Sequence, residues 1–325
     1  MKNLFLLLSL SMLLWTTACK NEILPEPGVE NPKQEMRDFV QSLSAYAKAE
    51  KEGFTVIPQN GLELLTQDGT ENSEIDELYL AAIDGVGQEN LYFGYEREDE
   101  ATPVEETLYL EAFLKKAQEA GKTIMVTDYA SSTRNMETAY QSAKDQDFVS
   151  FVAPSRELDQ IPGYPEEIPG NNREDIFSLE QAQNFLYLTN PANYDSRNDF
   201  IRALRNSSYD VLIIDLFYDG VAWTEEDLRA IKEKNGGGKR KVIAYMSVGE
   251  AENYRNYWNA DWDTNPPSWL KEENTQLRGN FKVAYWEEAW QKLIYGSPEA
   301  YLDQVIQAGF DGAYLDIVDA FEYFE

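Results

Sequence analysis

The sequence contains no histidine, a single cysteine, and only 28 lysine and arginine residues against 58 aspartate and glutamate residues. Without histidine, a Ser-His-Asp or Cys-His nucleophile and a histidine-ligated zinc, haem or iron site are all excluded. One cysteine can form neither an internal disulfide nor a cysteine-based metal cluster. Any catalytic chemistry must therefore use carboxylates, tyrosine, lysine or arginine, and we expect no cofactor and no metal.

The charge balance and the apolar content limit the class of protein and its ligands. The formal net charge of −30 repels phosphate backbones and anionic lipid surfaces, which argues against nucleic-acid binding and favours neutral or cationic ligands. At 43% hydrophobic and 13% aromatic residues, the chain has ample material for a large core. We therefore expect a folded protein, and we expect it to be a monomer.

The first 18 residues predict a lipoprotein signal peptide. Lys2 is followed by an apolar run over residues 4–15, and small residues precede Cys19, where bacterial lipoproteins are cleaved and lipidated. The segment resembles a lipobox, with Thr16 where leucine is usual; a plain secretory peptide with an incidental cysteine is the alternative. The polar residues 19–34 predict a tether. We expect a lipid-anchored protein of the bacterial cell envelope, in the outer membrane or at the cell surface.

Residues 35–325 predict one α/β domain. Short apolar runs alternate with helical segments, which is typical of a parallel sheet with crossover helices. The run VLII at residues 211–214 is expected of a strand buried on both faces. The candidate strands are residues 54–61, 80–89, 123–130, 148–153, 184–190, 210–217, 241–250, 280–286 and 309–316. A Pro-, Gly- and acid-rich stretch around residues 158–176 predicts a surface linker.

Acidic side chains recur where these apolar runs end. In a (β/α)8 barrel the carboxyl ends of the strands gather at one face, where active sites are built. One such carboxylate could simply cap the next helix, but five on five different strands predict a functional acidic cleft. The residues at or near these ends are Glu89, Asp128, Asp215, Glu250 and Asp316, with Asn60 in a similar place.

Three segments carry a resemblance to a known family. Residues 309–319 (GFDGAYLDIVD), 244–255 (AYMSVGEAENYR) and 213–217 (IIDLF) resemble glycoside hydrolase family 114. Members of that family are secreted (β/α)8, or TIM, barrels with endo-α-1,4-polygalactosaminidase activity. Some were once labelled relatives of cysteinyl-tRNA synthetase, but a synthetase signature needs histidines that this chain lacks.

The order of the motifs differs from that of the family. The segments IPQNG (57–61), AIDGVGQE (82–89) and VTDY (126–129) precede the GFDG segment here, whereas their counterparts follow it in the family. This order predicts a circular permutation, in which residues 154–178 join the old ends and the new termini lie between the fifth strand and the fifth helix. Residues 148–153 would then be a ninth, accessory strand.

The resemblance also implies site residues. The catalytic pair of the family falls on Asp316, as nucleophile, and Glu89, as general acid/base, although Asp316 could be a helix cap and Glu89 a surface residue. Arg255 could instead pair with Glu250 or Glu252, and Tyr245 could be core. The predicted substrate-binding residues are Asn60, Asp128, Asp215, Tyr245, Ser247, Glu250, Arg255, Trp286, Tyr314 and Asp319.

These observations favour a retaining hydrolase of an α-linked galactosamine-type polysaccharide, whose amines would be cationic. A catalytically inert carbohydrate-binding lipoprotein with the same barrel is the alternative. An acidic calcium-binding domain is disfavoured because the acids are scattered, whereas calcium loops usually place them within about 12 residues.

Overall fold

The computed structural model of the protein describes residues 29–325. The predicted signal peptide and Cys19 lie outside the described residues. Residues 31–325 form one compact unit, which begins with a helix at Pro32, inside the segment predicted as a tether. The side chain of Asn31 accepts a hydrogen bond from the amide of Gln34, and proline occupies the first helical position, so both local signals favour a helix start here. Within the described part of the chain, no helix has the length and apolarity needed to span a bilayer.

The unit is a mixed α/β structure in which helices follow most of the strands. The helices are α1 (Pro32–Glu50), α2 (Glu77–Ala82), α3 (Val104–Glu119), α4 (Thr133–Asp145), α5 (Arg197–Arg205), α6 (Glu225–Ile231), α7 (Glu288–Ile294) and α8 (Tyr301–Ala308). The strands are β1 (Thr55–Pro58), β2 (Gly85–Glu89), β3 (Thr123–Tyr129), β4 (Val149–Ala153), β5 (Phe185–Tyr187), β6 (Val211–Asp215), β7 (Phe217–Tyr218), β8 (Val221–Ala222), β9 (Lys241–Ser247), β10 (Glu250–Glu252), β11 (Leu270–Glu273), β12 (Asn280–Val283) and β13 (Gly312–Asp316).

Eight of these strands run parallel in two sheets. One sheet has the order β1-β13-β9-β6-β5 and the other the order β2-β3-β4. A parallel bridge between Gln59 and Gly87 joins β1 to β2 across the two sheets. Two segments whose order differs from that of the family lie side by side, because Thr55 of β1 pairs with Gly312 of β13 and Pro58 pairs with Leu315.

The prediction of the accessory strand was wrong. Val149–Ala153 is one of the eight parallel strands and pairs with β3 along its whole length. The predicted strand at residues 280–286 instead forms β12, in an antiparallel sheet with β10 and β11. In β12 the half-exposed Phe281 and Lys282 alternate in polarity, which suits an antiparallel sheet with one face toward solvent rather than a strand buried on both faces.

Burial explains why the parallel strands form where they do. All four residues of the VLII run in β6 are fully buried, as required of a strand covered on both faces. On α1, the residues Met36, Phe39, Val40, Leu43 and Ala47 follow helical spacing and are all buried, so this stripe packs the helix onto the core.

The connection between β4 and β5 differs from the others. Between Ala153 and Phe185 the chain forms only a short 3₁₀ helix, Leu179–Gln181. The fully buried Asp210 fixes this connection: its carboxylate accepts hydrogen bonds from the Asn172 side chain and the Gln183 amide, each at 2.8 Å, and pairs with Lys234 at 2.8 Å. Asp210 therefore joins the predicted linker to the amino-terminal end of β6.

Candidate active site

Asp316 and Glu89 end two strands of the parallel set, β13 and β2. One strand, β1, lies between them, because β1 pairs with β13 on one side and bridges to β2 on the other. Two strand spacings separate their backbones by about 10 Å, a distance that inward-pointing carboxyl side chains shorten. The two predicted catalytic residues therefore lie at the same edge of the strands.

The carboxylate of Asp316 accepts three hydrogen bonds. Oδ2 accepts one from the Tyr245 hydroxyl at 2.6 Å, and Oδ1 accepts one from the Gln59 side chain at 3.1 Å and one from the Ile317 amide at 2.9 Å. Ile317 has a φ of 58°, which is an outlier for a β-branched residue. The strained backbone at Ile317 therefore accompanies an amide directed at the carboxylate, as is common at functional sites.

Glu89 is held by its neighbours on β1 and β3. Its carboxylate accepts a hydrogen bond from the Tyr129 hydroxyl, and its amide donates to Oδ1 of Asn60 at 3.1 Å. The guanidinium of Arg156 lies 4.4 Å from the centroid of the Tyr129 ring. Tyr129 is therefore fixed from both sides, and it fixes one oxygen of Glu89.

Both carboxyl groups bind protons more tightly than ordinary carboxylates do. Burial raises the pKa of Glu89, although the Tyr129 hydrogen bond and the Arg156 charge oppose this effect. Burial, followed by the negative charge of Glu89, raises the pKa of Asp316 to about 7, against the hydrogen bonds from Tyr245 and Ile317. At neutral pH the pair can therefore hold one proton between two carboxyl groups, as glycoside hydrolysis requires.

A second cluster centres on Arg255. Its guanidinium donates to Asp215 at 2.8 Å and to Glu252 at 2.6 Å, so the arginine is bound to two carboxylates at once. The Asp215 carboxylate also accepts a hydrogen bond from the Phe217 amide at 2.7 Å. Burial raises the pKa of Asp215, and the charge of Arg255 opposes this rise. Asp215 and Arg255 thus lie at the end of β6 as a fixed pair.

Glu250 and Ser247 make structural contacts between the end of β9 and the start of β10. Glu250 is fully buried, and its carboxylate accepts hydrogen bonds from Asn274, Asn280 and the hydroxyl of Tyr323. The Ser247 hydroxyl donates to the backbone carbonyl of Glu250 at 3.0 Å. Glu250 therefore connects the antiparallel sheet to the 3₁₀ helix Val318–Phe324, which carries Asp319.

Asp319 extends the acidic surface beyond Asp316. Burial, together with the charges of Asp316 and Glu322, raises the pKa of Asp319 to about 8. The Trp286 ring packs against other aromatic rings, 4.8 Å from that of Phe324 and 5.0 Å from that of Tyr285. Asp319 thus lies within the electrostatic reach of Asp316, whereas Trp286 contacts aromatic rings.

Tyr314 and Asp128 are too deeply buried to contact a ligand directly. Tyr314 packs against Tyr187 with centroids 5.4 Å apart, and a Cβ on Gly87 would overlap its hydroxyl. The carboxylate of Asp128 accepts hydrogen bonds from the amides of Tyr92 and Phe93, so it holds the segment after β2. Burial raises its pKa to about 7, against these two hydrogen bonds.

The structure adds residues that were not among the predicted site residues. Gln59 and Tyr129 contact Asp316 and Glu89 directly, and Glu252 binds Arg255, a pairing that the sequence left open as an alternative. Tyr129 could have been identified, because side chains alternate along a strand and only one of the adjacent residues Asp128 and Tyr129 can face the neighbouring Glu89. Within residues 29–325, no three acidic or cysteine side chains converge as a metal site.

A cavity of about 870 Å³ lies at the opposite ends of the strands. It is lined by the beginnings of β3 and β4, at Thr123 and Val149, and by Tyr164 of the connection to β5. The carboxyl groups described above end their strands and do not line this cavity. The candidate active site therefore lies at the ends of the strands opposite this cavity.

The sequence of this chain is similar to one protein family and to proteins of several other organisms. Residues 169–325 match the sequence model of glycoside-hydrolase family GH114. An uncharacterized protein of Methanocaldococcus jannaschii is 38% identical over 156 residues, covering 45% of this chain and 43% of that protein. Uncharacterized proteins of Deinococcus radiodurans and Thermotoga maritima are each 40% identical, over 123 and 120 residues, covering 38% and 37% of this chain and 37% and 36% of theirs. The matches thus span less than half the length of these relatives.

Proposed function

We propose that this chain belongs to glycoside-hydrolase family GH114, whose sequence model matches residues 169–325, and that the protein hydrolyses an α-linked galactosamine-type polysaccharide. The observation that carries this proposal is the pair of carboxyl groups at the ends of β13 and β2, Asp316 and Glu89. Each has a raised pKa and each accepts a hydrogen bond from a tyrosine hydroxyl. Two carboxyl groups that share one proton are what cleavage of a glycosidic bond needs.

In this proposal Asp316 is the nucleophile and Glu89 the general acid/base. Three donors, the Tyr245 hydroxyl, the Gln59 side chain and the Ile317 amide, stabilise the ionised form of Asp316. Asp316 attacks the anomeric carbon while Glu89 transfers its proton to the leaving oxygen. Glu89 then takes a proton from water while the water oxygen attacks the anomeric carbon. This attack breaks the bond between Asp316 and the sugar and releases the sugar with its configuration retained.

The charge around the site supports a cationic polymer as substrate. The negative charges of Asp316 and Glu322 act on Asp319 and raise its pKa, and the whole chain carries a net charge of −30. Ammonium groups on the sugars would be attracted by this field. The substrate we propose is therefore a deacetylated amino-sugar polymer, held by a monomeric protein that is anchored to the cell envelope through lipid on Cys19.

We also propose that the eight parallel strands close into a circularly permuted (β/α)8 barrel. One seam is bridged by Gln59 and Gly87, and at the other the Phe151 ring of β4 lies 5.7 Å from the Phe185 ring of β5. The position of α1 supports the permutation, because Lys33 pairs with Glu325 and the Tyr285 hydroxyl donates to the carbonyl of Pro32. In the proposed barrel, α1 therefore occupies the position of the helix that would follow β13 in an unpermuted chain.

The test is release of reducing ends from α-1,4-linked galactosamine polymer. The wild-type protein should hydrolyse it, whereas Asp316→Asn and Glu89→Gln should each lower kcat by about 10³-fold or more, because an amide can neither attack nor transfer the proton. Glu180→Gln, an exposed acid at the opposite ends of the strands, is the matched control and should retain full activity. Full activity of either amide variant would rule out this pair. An inactive wild type that still binds the polymer would make the protein a carbohydrate-binding lipoprotein.

A further inference from the structure

Tyr254 combines high exposure with a fixed orientation. The residue is 63% exposed, which is unusual for an aromatic side chain in this protein. Its hydroxyl nevertheless donates a hydrogen bond to the buried Glu252, and the guanidinium of Arg255 lies 5.1 Å from its ring centroid. Since Arg255 is itself bound to Glu252 and Asp215, the support beneath the ring is rigid.

The position of Tyr254 relative to the carboxyl pair is defined by the strand order. Its supports come from β6, through Asp215, and from β10, through Glu252, and β10 directly follows β9. The strand β9 pairs with β13 on the side away from β1, whereas Glu89 lies beyond β1. Tyr254 and Glu89 are therefore on opposite sides of Asp316.

An exposed ring of fixed orientation is suited to binding the flat face of a sugar. Aromatic rings gain free energy by burying apolar surface, and a ring that is already fixed loses little conformational freedom when a ligand packs on it. If Tyr254 only covered Arg255, another large apolar residue could replace it. Sugar binding, in contrast, requires the flat aromatic ring. A replacement that keeps the apolar bulk but lacks the ring therefore distinguishes a structural role from a binding role.

We propose that Tyr254 is a stacking platform for a hexose ring of the polysaccharide. The platform holds the part of the polymer that keeps the anomeric carbon, because Glu89 serves the leaving oxygen on the opposite side of Asp316. This inference rests on the proposed function for the identity of the polymer and for the role of Glu89. The platform itself rests on the exposure and fixed geometry of Tyr254.

The test measures binding without turnover, in the full chain carrying Asp316→Asn. The probe is α-1,4-linked galactosamine polymer in an affinity gel, and the readout is the polymer concentration that halves migration. Tyr254→Leu keeps apolar bulk over Arg255 but lacks a flat ring, so it should raise that concentration about tenfold, as should Tyr254→Ala. Tyr254→Phe keeps the flat ring over Arg255 but loses the hydroxyl that binds Glu252, so its binding should fall between that of the parent and that of Tyr254→Leu. Phe177→Ala removes another exposed aromatic ring, 70% exposed, and should bind like the parent.

In the active enzyme, Tyr254→Leu should raise KM for the polymer while changing kcat little, with an unchanged melting temperature. If Tyr254→Leu and Tyr254→Ala bind as the parent does, or if the parent itself does not bind the polymer, the platform is wrong. If the wild type hydrolyses nothing but binding still depends on the Tyr254 ring, the platform holds and the proposed catalytic function fails.

Discussion

The hydroxyl of Tyr129 donates a hydrogen bond to Oε1 of Glu89. The same relationship recurs at Asp316, which accepts a hydrogen bond from Tyr245. In each case the tyrosine comes from a strand that pairs directly with the strand of the carboxylate, β3 with β2 and β9 with β13. Each carboxyl group of the candidate pair is thus oriented by its own neighbouring strand.

The Tyr245 hydrogen bond should set the acidic limb of the pH profile. It lowers the pKa of Asp316, so Tyr245→Phe should raise that pKa. Because Asp316, the proposed nucleophile, must be ionised, the acidic limb of kcat/KM should move upward by about one pH unit, as expected on losing a hydrogen bond to a charged group. The control is Tyr187→Phe, which removes a hydroxyl from the ring that packs 6.3 Å from Tyr245. A profile that stays in place in Tyr245→Phe would contradict this assignment.

Azide should distinguish the two roles. Asp316→Gly removes the nucleophile and leaves space, so azide can attack the anomeric carbon from the face opposite the leaving oxygen. Azide should restore cleavage and yield a β-glycosyl azide, detectable by NMR or mass spectrometry, because Glu89 still supplies the proton. Glu89→Gly with azide serves as the comparison. If it yields this product and Asp316→Gly does not, the two roles are reversed.

Asp128 should make stability depend on pH. The pKa of its carboxyl group is raised from 3.8 to about 7 in the folded protein, so the folded state holds a proton that the unfolded state releases. This contribution to stability is full below about pH 4 and is lost as pH rises toward about 7. Asp128→Asn keeps an oxygen to accept the Tyr92 and Phe93 amides but cannot ionise. The melting temperature of the variant relative to wild type should therefore increase between pH 4 and 7, whereas Glu180→Gln should show no such trend.

The anchor can be tested independently of catalysis. Replacing Cys19 with serine removes the only thiol of the chain and with it the site for lipid attachment. The Cys19→Ser protein should move from the membrane fraction to the soluble fraction, while wild type remains with membranes. Membrane fractionation that is the same for both proteins would refute the lipoprotein assignment.

The strand-end pattern predicted much of the fold and part of the site. Apolar runs such as VLII located all eight parallel strands because burial on both faces leaves a clear sequence signal. The pattern does not show which strands pair, and for this reason it does not reveal that Val149–Ala153 belongs to the parallel set while Asn280–Val283 forms part of a separate antiparallel sheet. Pairing depends on contacts between distant segments, which local composition does not encode.

Within the site, the sequence indicated acids but not their orientation. Asp316 and Glu89 end the strands on either side of β1, whereas the Asp128 and Glu250 carboxylates are held by hydrogen bonds from Tyr92 and Asn274. One residue of shift along a strand reverses the direction of a side chain, and this explains why Tyr129 rather than Asp128 reaches Glu89. The sequence does not identify Gln59 as a site residue, because a single glutamine forms no recognisable motif. Its contact with Asp316 becomes evident only once β1 lies beside β13.

The close approach of Gly87 and Tyr314 limits which mutations the protein can tolerate at position 87. A side chain at position 87 would occupy the space of the Tyr314 hydroxyl, and that ring already packs against Tyr187. Even an alanine would displace the Tyr314 ring, whose hydroxyl group interacts electrostatically with Glu89 and Asp316. Any residue larger than glycine at position 87 should therefore disturb the packing around these two carboxyl groups, although glycine itself has no side chain with which to bind a ligand.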